Sequence, residues 1–264
     1  MNNRKHSIAI PIILSLLLII SGALISGFSL ATIGFDMKRL NTGTYSERSC
    51  STTDDFHSIR MRVGTADIRF ERSADSTCLV EIYDHDKVDY DIDVKDGTLV
   101  IEAQDHSQWY EHIGFFTRAA MVTVFLPKDR FDALSIRSVT GDVDISSLRV
   151  DGGIELFTGS GDTRLAALTC ETLTSDGNTG DIVMKDVIAS GDLMITRNTG
   201  DVVFDGCDAA TLTIETNTGD VTGTLLSDKS FHTVTSTGDV EVPATSGGNC
   251  DITTSTGDIE LRIR

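Results

Sequence analysis

A Gly-Asp pair returns through the second half of this chain at nearly constant intervals. Its aspartates are Asp142, Asp162, Asp181, Asp201, Asp220, Asp239 and Asp258, spaced by 20, 19, 20, 19, 19 and 19 residues. A fixed period of this length marks an array in which each repeat is one supersecondary unit. Gly191-Asp192 is an extra copy at roughly half a period.

Aligned on the aspartate, the repeats share apolar columns. Val202, Phe204 and Cys207 lie one, three and six residues after Asp201; Leu193 and Ile195 lie eight and six before it. The other copies fill the same columns, Leu226 among them, with exceptions at Thr163, Ser175, Gly223, Thr233 and Thr245. Apolar residues at every second position over short runs read as strands, two per repeat. A helical repeat fails on the same spacing. One such unit cannot bury its apolar face alone, and stacking neighbours makes a continuous core. The predicted fold is all-β: a single-stranded β-helix or solenoid over 134–264 with 19–20 residue rungs. At a strand spacing of about 4.8 Å, six steps between seven aspartates give a rod of roughly 29 Å.

The tripeptide before each second strand, mostly Thr-Gly-Asp, reads as a corner. Gly141, Gly161, Gly180, Gly200, Gly219, Gly238 and Gly257 are its structural turn residues, because glycine takes positive φ without steric cost. The aspartate and the preceding Ser or Thr can bond nearby backbone. A second reading is a calcium ladder, since stacked carboxylates repel unless bridged. The Gly-Gly-x-Gly spacing of calcium-binding β-rolls is missing, so no cofactor is expected.

Residues 51–133 are strand-like but less regular, and read as a cap on the array. "VDYDIDV" alternates, with Asp89, Asp91 and Asp93 on a solvated face, and Asp96-Gly97 makes a hairpin turn. Val63–Asp67 resembles a degenerate corner. "QDHSQWYEHIGFFTR" breaks the pattern. Trp109, Tyr110, Phe115 and Phe116 in it are candidate partner-binding residues; the bland alternative folds them onto the sheet as a long hairpin loop.

Residues 7–34 contain no charged side chain, longer than the roughly 20 apolar residues a membrane span takes. They predict a transmembrane anchor, with 1–6 as a cytoplasmic tail and 35–50 as a linker; cleavage after Ser29–Ala31 stays open. Arg4 and Lys5 before the span give a cytoplasmic N-terminus. The expected localisation is therefore single-pass in the cytoplasmic membrane, with the ectodomain on the extracellular side.

The net charge is −18, and −20 beyond the first 35 residues, which disfavours nucleic acid. Five cysteines, an odd count without metal-ligand spacing, exclude a disulfide framework, though Cys50 with Cys78 stays open. Cys207 and Cys250 fall in core columns. Gly159-Ser160-Gly161 lacks the flanking glycines of a nucleophile elbow, and no phosphate or dinucleotide fingerprint occurs. No enzyme is expected.

The serial "S/N-T-G-D-V/I" motif, the apolar N-terminal run and the lead-in ending in "VTVFLP" together resemble the bacterial putative-adhesin family of membrane-anchored β-strand repeat proteins, formally a domain of unknown function. The resemblance covers 51–264. It implies a β-helix-like fold in the cell envelope and brings no catalytic residue. The motif departs at Thr163 and in the insert around Trp109. Together these readings predict a non-catalytic surface protein, adhesin-like or a scaffold. The partners would be the membrane through the N-terminal helix and a protein or glycan ligand. The alternatives are an accessory or sensor protein in envelope-stress signalling, or a calcium-loaded module. Open solenoid ends can pair edge to edge, so the oligomeric state stays open.

Overall fold

The computed structural model describes residues 4–32, 34, 44–107 and 119–264, and within its helix the side chains of 14–28, 31 and 32. The chain forms two units, Met1–Thr44 with Ser107–Arg118, and Tyr45–His106 with Ala119–Arg264.

In the first unit α1 spans Arg4–Thr32. Among the described residues no helix is long and apolar enough to cross a membrane. That overturns the transmembrane anchor expected at 7–34, and with it the single-pass localisation and the extracellular ectodomain. A span takes roughly 20 consecutive apolar residues, and the described residues of α1 supply no such run.

The second unit is all-β. Its lead-in holds β1 (Tyr45–Thr52), β2 (Ser58–Val63), β3 (Asp67–Arg72), β4 (Cys78–His85), β5 (Val88–Lys95), β6 (Thr98–Asp105) and β7 (Met121–Leu126). The strand β1 thus begins inside the stretch read as linker. The repeats follow as β8 (Arg130–Phe131), β9 (Ala133–Thr140), β10 (Val143–Val150), β11 (Gly153–Ser160), β12 (Thr163–Cys170), β13 (Thr172–Thr179), β14 (Ile182–Thr199) and β15 (Val202–Thr218). The chain ends in β16 (Val221–Leu225), β17 (Lys229–Thr237), β18 (Val240–Glu241), β19 (Gly248–Thr256) and β20 (Ile259–Ile263).

These strands make one sheet of barrel- or solenoid-like form. Two parallel stacks meet at the Gly-Asp corners. Strands before the corner stack in the order β6, β2, β9, β11, β13, β14, β15, β19, β17. Strands after it stack as β7, β3, β10, β12, β14, β15, β16, β20, β18. The long strands β14 and β15 serve both stacks, one half in each.

Spatial order departs from chain order at both ends. The pair β6–β7 follows β2–β3 in the chain but lies outside it. The last repeat, β19–β20, is inserted between β15–β16 and β17–β18. The period itself allows this. Leu212 pairs with Cys250 and Cys250 with Phe231, and each stands eight residues before its own aspartate. Repeats with the same columns are interchangeable in register.

The core is the stacked apolar columns. Ile145, Leu165, Met184 and Phe204 align across four rungs at 1% exposure or less. Burying each such side chain stabilises by about 1.5–3 kcal/mol. Thr163 and Ser175 are buried in the same columns. One column expectation fails. Leu226 is exposed, and Leu225 takes the core place opposite Cys207. The ladder shifts register between Phe204 and Cys207, because the left-handed residue Gly206 adds a bend that the next rung lacks.

At the lead-in end the parallel stacks give way to antiparallel pairs, β1 with β4, β4 with β7 and β5 with β6. The buried Asp84 accepts a hydrogen bond from Tyr90 Oη at 2.6 Å. All five cysteines are free. Cys50 lies opposite Val80 and Cys78 opposite Thr52, two residues out of step.

Candidate functional site

The aspartate column is a hydrogen-bonded ladder. Each aspartate's Oδ1 accepts from the backbone N–H of the aspartate one rung outward. The series runs Asp67, Asp142, Asp162, Asp181, Asp201, Asp220, Asp258, Asp239, with distances of 2.8–3.1 Å. Asp67 brings the lead-in into the ladder, and the order of the last two follows the inserted repeat.

The glycine before each aspartate makes this approach. The seven corner glycines have φ between 125° and 153°. At Gly200 an added Cβ would strike the carbonyl of Gly180 in the rung below, so backbone packs on backbone at the corner.

Charge along the ladder is uneven. Arg164 bridges Asp142 and Asp162, at 2.8 Å to each Oδ2. Burial pushes the Asp142 carboxyl up, but the hydrogen bonds from Arg164 and the Asp162 N–H outweigh it and hold it below the usual range. No cation reaches Asp181, Asp201, Asp220, Asp258 or Asp239 among the described residues. No group of three or more His, Cys, Asp or Glu is placed to hold a metal ion among them either.

A second ladder runs beside the first on the exposed surface. Asn198 donates to Asn178 at 3.2 Å, and Asn217 to Asn198 at 3.5 Å. Thr179, Thr199, Thr218 and Thr256 stand next to them, also exposed. The ridge is therefore a regular array of amides, hydroxyls and carboxylates at the rung spacing, about 4.8 Å.

The inner side of the corner holds a polar column that the apolar pattern concealed. Its members stand four residues before each aspartate. Thr216, Thr254 and Thr235 donate to the corner carbonyls of Gly200, Gly219 and Gly257, at 3.4, 3.2 and 3.0 Å. Arg197, 3% exposed, fills the same column and lies over Gly177. It donates to Ser175 O, Ser175 Oγ and Thr196 O, and burial pushes it down to about 10. The Ser, Thr and Arg recurring at that offset were the signal available in the sequence.

Elsewhere, Lys229 is 3% exposed and donates to Asp208 Oδ1, Ala209 O and Ser227 Oγ at 2.6–2.7 Å. A crevice of about 190 Å³ lies among Phe70, Leu126, Leu148, Arg72 and Asp129. Trp109, Tyr110, Phe115 and Phe116 lie outside the described residues.

The Toastrack DUF4097 family model matches residues 56–264. Among solved structures, a "putative adhesin" from Bacteroides fragilis is 18% identical with a TM-score of 0.50, covering 84% of this chain and 99% of that one. A "putative cell adhesion protein" from Clostridium sporogenes is 10% identical with a TM-score of 0.39, covering 84% and 100%. No curated protein matches the sequence.

Proposed function

The chain belongs to the Toastrack DUF4097 family, and from that premise we propose that it is a non-catalytic, adhesin-like binding or scaffold module. It is a single-stranded β-helix of 19–20 residue rungs that presents its corner ridge to an extended protein or glycan. The ridge carries this reading. Asn178, Asn198 and Asn217 are tied to one another, and the adjacent aspartates are tied to the backbone, so the array is held before any ligand arrives. A preorganised array loses little side-chain entropy on binding. Amides and hydroxyls both donate and accept, which suits sugar hydroxyls or the main chain of an extended peptide. The description of the B. fragilis protein as a "putative adhesin" points the same way.

The test is binding of the full chain to arrayed glycans and to a panel of immobilised cell-surface proteins. It is run beside a variant with Asn178, Asn198 and Asn217 all changed to Ala. Loss of the strongest signals in the variant supports the ridge. Signals that the variant retains in full would place binding elsewhere.

A further inference from the structure

An arginine cluster stands on the outer face of the sheet, toward the lead-in end. Alternation along β2 buries Ile59, Met61 and Val63 and turns Arg60 and Arg62 outward. On the neighbouring strand β9, Leu134 and Ile136 are buried, so Ser135 and Arg137 turn outward. The register sets Arg60 beside Ser135 and Arg62 directly beside Arg137. One rung further, Phe157 lies beside Arg137, whose guanidinium stacks over the ring at 4.4 Å from its centroid.

Like charges set side by side on neighbouring strands destabilise a sheet. The chain has 40 acidic residues against 22 basic ones, yet this cluster is short of counter-charge. Arg62 meets Glu102 only at 3.9 Å. Among the described residues no carboxylate comes within ion-pair distance of Arg60 or Arg137. Other arginines of the sheet are satisfied from within: Arg72 by Asp129, Arg130 and Arg149 by Asp151, and Arg164 by Asp142 and Asp162. A guanidinium carries five N–H donors, so the three forks on β2 and β9 keep donors to spare.

We propose that this cluster binds the carboxylate of an acidic glycan, a polymer of uronic acid, with Arg60, Arg62 and Arg137 as the ligands of the anion. A planar guanidinium matches a carboxylate through two parallel N–H···O bonds. Topology disfavours an extended peptide. β2 pairs with β6 and β9, and β9 with β2 and β11, so no open strand edge offers main-chain bonds here and recognition falls to side chains. Charge disfavours a bilayer or a nucleic acid. One or two strands away on the same face stand Glu102, with Asp91 and Asp93 that share Lys95, and on the other flank Glu155 and Asp176. A broad polyanion would press on these acids, whereas one carboxylate on a neutral ring meets only the arginines. The cluster also continues the corner ridge, since from Arg62 on β2 through β9 and β11 to Asn178 on β13 is roughly 14 Å at the strand spacing. The inference deepens the glycan reading above and rests on it for the class of polymer alone.

The test titrates the full chain with oligogalacturonate, and with the same oligosaccharide after its carboxyls are reduced to the neutral sugar. It is repeated on a variant carrying Arg60→Gln, Arg62→Gln and Arg137→Gln together. The expected result is binding of the acidic form that weakens as salt rises. The neutral form on the wild type, and the acidic form on the variant, should each bind more weakly by about tenfold or more, the worth of a single charge-assisted hydrogen bond. The melting temperature should hold, because the three side chains are exposed. If the triple variant unfolds, Arg60→Gln with Arg62→Gln replaces it and leaves the Phe157 stack in place. No binding of oligogalacturonate, equal binding of its neutral form, or full binding by the variant overturns the proposal. So does a stronger, arginine-dependent response to polyglutamate or to phosphatidylserine vesicles. The variant with Asn178, Asn198 and Asn217 changed to Ala separates the two readings. Binding lost with the arginines but kept without the asparagines retains this site and sinks the ridge, and the reverse retains the ridge and sinks this site.

Discussion

Replacing Asp201 separates shape from charge in the ladder. Its Oδ1 accepts from Asp220 N–H at 2.8 Å, its own N–H donates to Asp181 Oδ1 at 2.8 Å, and no cation reaches it among the described residues. A bond to a charged acceptor contributes about 2 kcal/mol and a neutral one about 1. Each neighbouring carboxylate sits about 4.8 Å away. In water that repulsion is about 0.9 kcal/mol, and screening over a Debye length of about 8 Å trims it to about 0.5. Two neighbours make it about 1 kcal/mol. Asp201→Ala loses the charged bond and relieves the repulsion, for a net loss of about 1 kcal/mol. Asp201→Asn keeps a carbonyl acceptor and gains the same relief, so its net change is about zero. In 1 M salt, where the Debye length is about 3 Å, the relief shrinks and the Ala variant falls further behind wild type. Urea midpoints of the three full-length proteins, in EDTA and then in millimolar calcium, measure this. An Asn variant as damaged as Ala would refute the reasoning. It would show that the carboxylate charge matters, most directly through a bound cation. A calcium-dependent rise in the wild type alone would make the same point.

Two further predictions concern buried groups. Burial by itself pushes the Asp208 carboxyl up, but hydrogen bonds from Lys229 and Ser227 outweigh it and hold it below the usual range. A folded value below the unfolded one, about 3.9, means this contribution is full above that pH and is lost as pH falls through the folded value. Asp208→Asn should therefore lower stability at pH 7 by about 2 kcal/mol, the worth of one charge-assisted hydrogen bond, and flatten the acid limb; urea midpoints from neutral to acid pH check both, and an unchanged limb sinks the assignment. Burial pushes the thiols of Cys78, Cys170 and Cys207 up to about 11 and Cys250 up to about 12, while Cys50 is exposed. At pH 8 a thiol reagent should label one cysteine in the folded chain and all five in urea; a second fast thiol in the native protein would mean a more open core.

The repeat made much of the fold legible. A period of 19–20 residues with apolar columns two apart dictates strands, corners and a stacked core, because alternation fixes which side chains can be buried together. Val63–Asp67 could be read as a corner because it keeps an aspartate before alternating residues. Local pattern also misled. Leu226 stands in the right column, but a bend at Gly206 that the next rung lacks hands the core place to Leu225. The charge-free run at 7–34 suggested a membrane span that the described helix does not support. The polar column was hidden because Thr216 and Arg197 are hydrophilic in composition and buried only by contact with neighbouring rungs.

The sequence by itself determined that there would be rungs, where each would turn and which apolar columns most of them would bury. Those properties belong to one repeat and its own alternation. Only the tertiary structure decided which rung lies on which. Leu212, Phe231 and Cys250 offer the same register to any neighbour. The insertion of β19–β20 inside β17–β18 is therefore set by the folded stack as a whole.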